Sequence, residues 1–359
     1  MVRKVSESKP NFFYAIRIRP KATDSCHLHI VDINSKKPRL TFCGHKSEIH
    51  DVLVDWEEGR VLTTSDDGWN IGYVHTARWW DLPGGICLAK KEIRSSKVKG
   101  TFLVSADMFK QRVLFAYGKK APTGDGACIK LWDCASNTFT SELPSARGTW
   151  GNVLGMAVNW DNLRALIGFN TAAFKGLLFR LVDIQGGCVL QDIPTNQSFM
   201  VASVDWKEWR AIGVSYPGDP RVQNPPHVFI KCLSTGNEIQ MCKGSPYRRA
   251  LKAGTDFKIS AHWPSNRAYV WCYNTGFYML DLATASVLYT FMESGLERLC
   301  VFHMEVDWET KQVVIGGAKT IACFTFDDNR TVKMWHDFCL VDILTSFWDI
   351  CSVSVVANT

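Results

Sequence analysis

Apolar and polar positions along this chain alternate in short runs of four to eight residues, and the runs return in a fixed order. One word marks each return: "VDWEEGRVLT" at Val54, "VNWDNLRALI" at Val158, "VDWKEWRAIG" at Val204 and "VDWETKQVVI" at Val306. Small and β-branched residues lead into an anchor position. Polar residues follow, and an Arg four residues on opens the next apolar run. The anchor and its Arg fall at Trp56 and Arg60, Met108 and Arg112, Trp160 and Arg164, Trp206 and Arg210, and Trp263 and Arg267. Trp308 (with Gln312) and Trp348 (with Ser352) continue the series in weaker form. Successive anchors lie 40 to 57 residues apart, the variation expected of a ~40–45-residue unit with loop insertions.

Each unit holds two further runs after the Arg, such as "GLLFRLVDI" and "GCVLQDI", separated by a small or Gly-containing turn. β-branched and aromatic runs of this length, bounded by turn formers, predict strands, and no long helical periodicity competes with them. Four short antiparallel strands per unit, repeated about seven times, predict an all-β chain: a single seven-bladed β-propeller with four antiparallel strands per blade. In this reading the anchor ends the innermost strand and Arg starts the next across a tight hairpin. The large anchor side chain packs between neighbouring blades, with the Arg stem along it.

The segment "CGHKSEIHDVLVDWEEGRVLTTSDDG…RWWDL", Cys43 to Leu82, resembles the WD40 repeat, with Gly44–His45, the "SDDG" turn and a terminal Trp80–Asp81. The next unit ends in Trp132–Asp133, and later units keep only the Asp, at Asp183 and Asp281. Asp32 near the start has the same form. The resemblance spans essentially the whole chain, though only the first complete unit is rich in family markers. It implies a buried hydrogen-bonded tetrad of His45, Thr63, Asp67 and Trp80. About seven extra residues separate the Asp turn from Trp80, a departure from the family pattern. The other units lack Gly-His, so hydrophobic packing has to replace their tetrads.

Six units are complete. The N-terminal part supplies later strands without a clear first one, and the C-terminus supplies an early strand around "LVDILTSFWD". Together they predict a closing blade from 11–43 and 339–359, which ties the ring and removes free edges. The other blades fall near 44–94, 95–145, 146–195, 196–244, 245–293 and 294–338. Both termini offer a second strand for the closing blade; Phe12–Arg19 is the better fit, leaving the last residues appended.

Composition adds little to this picture. The chain has 359 residues, 46% hydrophobic, with a net charge of +6, too mild to announce nucleic-acid binding by itself. No apolar run approaches the ~18–20 residues of a membrane span. The N-terminus shows no apolar core of a signal peptide. The 13 Cys form no C-x-x-C and read as small hydrophobes in a reducing compartment, the cytoplasm with the nucleus still open.

No Walker A loop, H-E-x-x-H, G-x-S-x-G or G-x-G-x-x-G occurs, so no catalytic residue, cofactor or metal ligand is expected. "GVSYPG" around Ser215 has Pro where a nucleophile elbow needs Gly. "CHLH", Cys26 to His29, puts His27 and His29 on one strand face, without a complementary cluster at zinc-site spacing.

The loops carry more. Connections expected at one end of the ring hold Arg94, Lys97, Lys99, Lys119, Lys120, Arg147, Arg248, Arg249 and Lys252, with Trp150 as a candidate aromatic anchor. The opposite loops are short and mixed to acidic, such as "EEG", "DNL" and "QGG". Long loops on a rigid scaffold are where binding is expected, and this end reads as a docking face for an acidic or phosphorylated protein segment. The same charges also read as a solvated surface. The leading expectation is a non-catalytic protein–protein interaction scaffold. An RNA-associated subunit of a ribonucleoprotein assembly and a propeller enzyme with a channel-mouth site are the alternatives.

Overall fold

The recurring word builds a hairpin, and the residue before the anchor begins its turn. Asp55 faces Arg60 across the strands, and Asp107–Arg112, Asn159–Arg164, Asp205–Arg210, His262–Arg267 and Asp307–Gln312 repeat the pairing. The anchor is therefore the first turn residue rather than the last strand residue. The Asp or Asn caps the turn: Asp55 Oδ1 accepts the Glu58 N–H at 2.9 Å, Asp107 Oδ1 that of Lys110 at 3.0 Å, and Asn159 Oδ1 that of Asn162 at 3.0 Å. Such local bonds are why Asp and Asn favour turns. The residue before the Arg, or before Gln312 in the last, adopts positive φ in all six turns, at Gly59, Gln111, Leu163, Trp209, Asn266 and Lys311. For the non-Gly residues this costs about 1–2 kcal/mol each, which the capping and ladder hydrogen bonds offset.

The third and fourth strands are joined by the same device. Asp81, Asp133, Asp183 and Asp281 accept N–H bonds from Gly84, Ser136, Gly186 and Thr284 at 2.7–3.0 Å, and positive φ recurs at Gly85, Asn137, Gly187 and Ala285. Four of the Arg residues that open a second strand pair with a capping Asp. Arg60 pairs with Asp81 at 2.7 Å and Arg267 with Asp281 at 2.6 Å, whereas Arg112 pairs with Asp107 and Arg210 with Asp205, both at 2.8 Å.

The computed structural model describes residues 13–20, 26–32, 38–47, 49–66, 74–94, 102–121, 124–143, 149–171, 176–195, 198–216, 227–243, 257–272, 276–291, 301–309, 311–317, 320–326, 332–339 and 348–356. Among these the chain forms four-stranded antiparallel sheets and one 3₁₀ turn, Trp263–Ser265. The first sheet has the order Trp348–Val356, Phe13–Pro20, Cys26–Asp32, Pro38–His45. Six sequential sheets follow, opening with the strands Ile49–Asp55, Phe102–Asp107, Thr149–Asn159, Ser198–Asp205, Phe257–His262 and Val301–Asp307. We number the sheets one to seven in this order.

Two expectations for the first sheet change. The last residues are not appended: Ser352 and Val353 face Arg17 and Ile16 within the first strand. Trp348 opens that strand opposite Pro20 and does not occupy the turn position of the other six anchors. The Trp348–Val356 strand also lies against Val301–Asp307 and Gln312–Gly317 of sheet seven and against Ile49–Asp55 of sheet two.

The core lies between sheets. Leu28, Ile30 and Phe42 of sheet one meet Val61, Trp80 and Leu82 of sheet two, with Trp56 packed against them. Equivalent clusters join sheets two to three, three to four, four to five, five to six and six to seven. Met108, Trp160, Trp206, Trp263 and Trp308 each pack into the cluster shared with the preceding sheet. Two anchors are also bonded there. Trp160 Nε1–H donates to Ser105 Oγ at 3.2 Å and Trp263 Nε1–H to Ser203 Oγ at 3.0 Å. The preceding sheet's Arg lies over each ring, Arg112 at 5.7 Å from Trp160 and Arg210 at 5.4 Å from Trp263. The anchor thus stacks on the Arg of its neighbour. Innermost strands approach closely where Gly155 faces Val201: a Cβ on Gly155 would meet the Val201 backbone at 3.0 Å.

Candidate functional site

Three of the four residues named from the WD40 resemblance are joined by hydrogen bonds at sheet two. Thr63 lies inside the second strand and is fully buried. Its Oγ1 accepts the Trp80 Nε1–H at 2.8 Å and lies 2.7 Å from His45 Nε2. His45 arrives from the outer strand of sheet one, so the network ties two sheets together. Trp80 keeps this place despite the residues inserted before it. Asp67 lies outside the described residues. In sheet three the position of Thr63 is Phe115, which stacks on Trp132 with centroids 6.0 Å apart, and the indole N–H turns to Asn137 Oδ1 at 3.2 Å. Apolar residues take the same place in sheets four, six and seven, at Ile167, Val270 and Ile315, all buried. In sheet five the position of the Trp holds Lys231, buried and paired with Glu238 at 2.6 Å.

At the other end of the same strands lies a cluster that sequence reasoning passed over. Asp66 Oδ2 accepts from His50 Nε2 at 3.0 Å, and Asp66 Oδ1 bonds His75 Nδ1. Burial opposes charge on Asp66, but the His50 and His75 hydrogen bonds outweigh it and hold the carboxyl well below the usual carboxylate range. The His75 ring stacks on Phe102 of sheet three, centroids 4.4 Å apart. The extra residues before Trp80 were the visible signal, since His75 belongs to the strand that they lead into.

Antiparallel order puts the capped turns at one end of the sheets and the remaining connections at the other. Of the basic residues read from the sequence, Arg94, Lys119 and Lys120 are described, towards that second end. Lys97, Lys99, Arg147, Arg248, Arg249 and Lys252 lie outside the described residues. Arg94 is the last residue of the Ile86–Arg94 strand, opposite Val74. Lys119 and Lys120 are not loop residues: they face Gly126 and Asp125 inside a long hairpin, because the ladder of alternating residues continues to Ala121. Trp150 likewise falls within the strand Thr149–Asn159 rather than in a loop.

The remaining candidates have ordinary surroundings. Ser215 is a strand residue facing Phe199. His27 and His29 share a face, ring centroids 6.2 Å apart, and His29 Nδ1 lies 2.9 Å from Thr41 Oγ1. Burial, with the neighbouring His27 adding to it, lowers His29 to about 4, so its ring is neutral near pH 7. Among the described residues no group of three His, Cys, Asp or Glu is arranged to hold a metal ion. No helix among them is long and apolar enough to cross a membrane.

No family profile matches the chain. A curated relative, THO complex subunit 6 of Arabidopsis thaliana, is 30% identical over 123 residues, which is 34% of this chain and 29% of that protein. The matched stretch therefore spans less than a third of the relative's length. Among solved structures U3-55K is similar with a TM-score of 0.55 at 11% identity, over 82% of each chain. These similarities point to a WD40-like β-propeller, in keeping with the antiparallel four-stranded sheets.

Proposed function

We propose that the chain is a non-catalytic interaction scaffold, a single closed ring of seven blades that docks an acidic protein segment on the end bearing its longer connections. The observation that carries this reading is the difference between the two ends of the sheets. Caps and ion pairs close the turns at one end. The sequence between the strands at the other is longer and includes Lys97, Lys99, Arg248, Arg249 and Lys252, with Arg94 ending the Ile86–Arg94 strand. Basic side chains on irregular loops over a rigid scaffold suit acidic or phosphorylated segments. Closure is supported by the Trp348–Val356 strand, which lies against sheets two and seven while completing sheet one. Buried polar groups such as His45, Thr63 and Lys231 have structural partners, which favours a scaffold over a channel-mouth enzyme. THO complex subunit 6 is by name a member of an assembly, and the similarity supports membership in a larger complex here.

Affinity purification from native lysate with mass spectrometry tests this function. Replacing Arg94, Lys97, Lys99, Arg248, Arg249 and Lys252 with Ser is expected to abolish partner recovery. Unchanged recovery of every partner refutes the basic docking face. Recovery lost on nuclease treatment favours the RNA-associated alternative, whose binding would also weaken steeply with salt.

A further inference from the structure

The end that carries the capped turns displays one side chain that the fold does not require. Phe109 is 73% exposed, the most exposed of the large hydrophobic residues among those described. Its turn is held firmly. The Lys110 N–H bonds Asp107 Oδ1 at 3.0 Å, the Gln111 N–H bonds the Met108 carbonyl at 3.2 Å, and the Cys134 N–H bonds the Gln111 carbonyl at 2.9 Å. The equivalent position holds Glu57, Asp161, Lys207, Pro264 and Glu309 in the other turns, so nothing in the turn itself calls for an aromatic ring. Met108 beside it points into the core shared with sheet two, which leaves Phe109 outward on a fixed backbone.

The neighbouring turns set its surroundings. Sheets two and four flank sheet three through shared core clusters, and Trp160 reaches across to Ser105. The corresponding turns of sheets two and four, at the same end of the strands, hold exposed Glu57 and Glu58 and exposed Asp161. Lys110 is the exposed positive charge within these three turns, and exposed Arg164 opens the strand after the turn of Asp161.

We propose that this patch docks a basic peptide segment, with an Arg stacked on Phe109 and further cationic residues opposed by Glu57, Glu58 and Asp161. A guanidinium is attracted to the face of an aromatic ring. An aromatic fixed on a rigid turn loses little conformational freedom on binding. The acidic neighbours select a cationic partner and speed encounter, an effect that salt screens. The patch lies at the opposite end of the strands from Arg94, Lys119 and Lys120, so it stands independently of the acidic-partner reading. A chain with both would bridge two partners of opposite charge.

Fluorescence anisotropy of the full chain with a labelled peptide of four Arg-Ala repeats tests the patch, with Lys-Ala and Glu-Ala peptides as counter-probes. The Arg-Ala peptide is expected to bind at low salt. Phe109→Ser should weaken it about two- to fivefold, Phe109→Tyr should retain it, and Glu57→Lys with Glu58→Lys and Asp161→Lys should abolish it. Arg248→Ser with Arg249→Ser and Lys252→Ser should leave it unchanged. Failure of the Arg-Ala peptide to bind, equal affinity of the Phe109→Ser variant, or equal binding of the Glu-Ala peptide overturns the proposal. Lys-Ala binding as tight as Arg-Ala overturns stacking on Phe109. Unchanged melting temperatures establish that each variant is folded.

Discussion

Thr63→Val replaces one buried oxygen with a carbon in nearly the same volume, and the loss falls on two other buried groups. The Trp80 N–H at 2.8 Å loses its acceptor and His45 Nε2 at 2.7 Å loses its hydroxyl partner. All three residues are at most 2% exposed, so water cannot replace the missing oxygen. Each orphaned group costs about 1–3 kcal/mol, and the added methyl returns about 0.8 kcal/mol. The expected net loss is about 1–5 kcal/mol, centred near 3. Urea unfolding followed by far-UV circular dichroism measures it, with an unchanged m-value showing that stability alone has altered. Trp80→Phe removes the donor, and the double variant should fall short of the sum of the singles by ~1 kcal/mol or more. A Thr63→Val change within ~0.5 kcal/mol of the parent, or strict additivity within that margin, would refute a buried network at this site.

Three further outcomes follow from the turns and the strand contacts. Arg210→Met strands the Asp205 carboxylate, only 8% exposed, and is expected to cost about 1–3 kcal/mol; Arg60→Met, whose pair is more than a quarter exposed on both sides, should cost under about 1 kcal/mol in the same unfolding assay. Gly155→Ala places a Cβ 3.0 Å from the Val201 backbone and should destabilise by about 1–3 kcal/mol, read by calorimetry. Cys232 stands where other sheets have the capping Asp, and hydrogen bonds from Ser234 first and then Thr235 bring its thiol down to about 7. Its alkylation by iodoacetamide, followed by peptide mapping, should reach half its maximal rate near pH 7. The folded state favours the thiolate, so this contribution to stability is complete above the free thiol's range near 9 and is lost as pH falls through about 7.

Much of the architecture is written in one repeated word, because a hairpin is a local structure and its caps lie within five residues of one another. The strand alternation and the Trp–Arg spacing were both legible for that reason. The role of the residue before the anchor was overlooked, although Asp or Asn precedes it at Asp55, Asp107, Asn159, Asp205 and Asp307. Trp348 misled because its spacing continues the series although it lacks the Arg four residues later; the alternation from Ile350 to Val355 was the better signal. Contacts between distant segments were harder to read. The bonds of Trp160 to Ser105 and Trp263 to Ser203 span 55 and 60 residues, and no local pattern announces them. Lys119, Lys120 and Trp150 were read as loop residues because Gly and Pro nearby imitate a loop, whereas Lys119 and Lys120 pair within the hairpin ladder and Trp150 lies in the strand Thr149–Asn159 at an irregularity of its pairing.

Hydrogen exchange read by mass spectrometry over Trp348–Val356 tests the single ring most directly. If this segment is the first strand of sheet one, paired with Phe13–Pro20 and lying against sheets two and seven, its amides exchange as slowly as those of Ile49–Asp55. Exchange at the rate of an unstructured peptide would contradict a ring built from both ends of the chain.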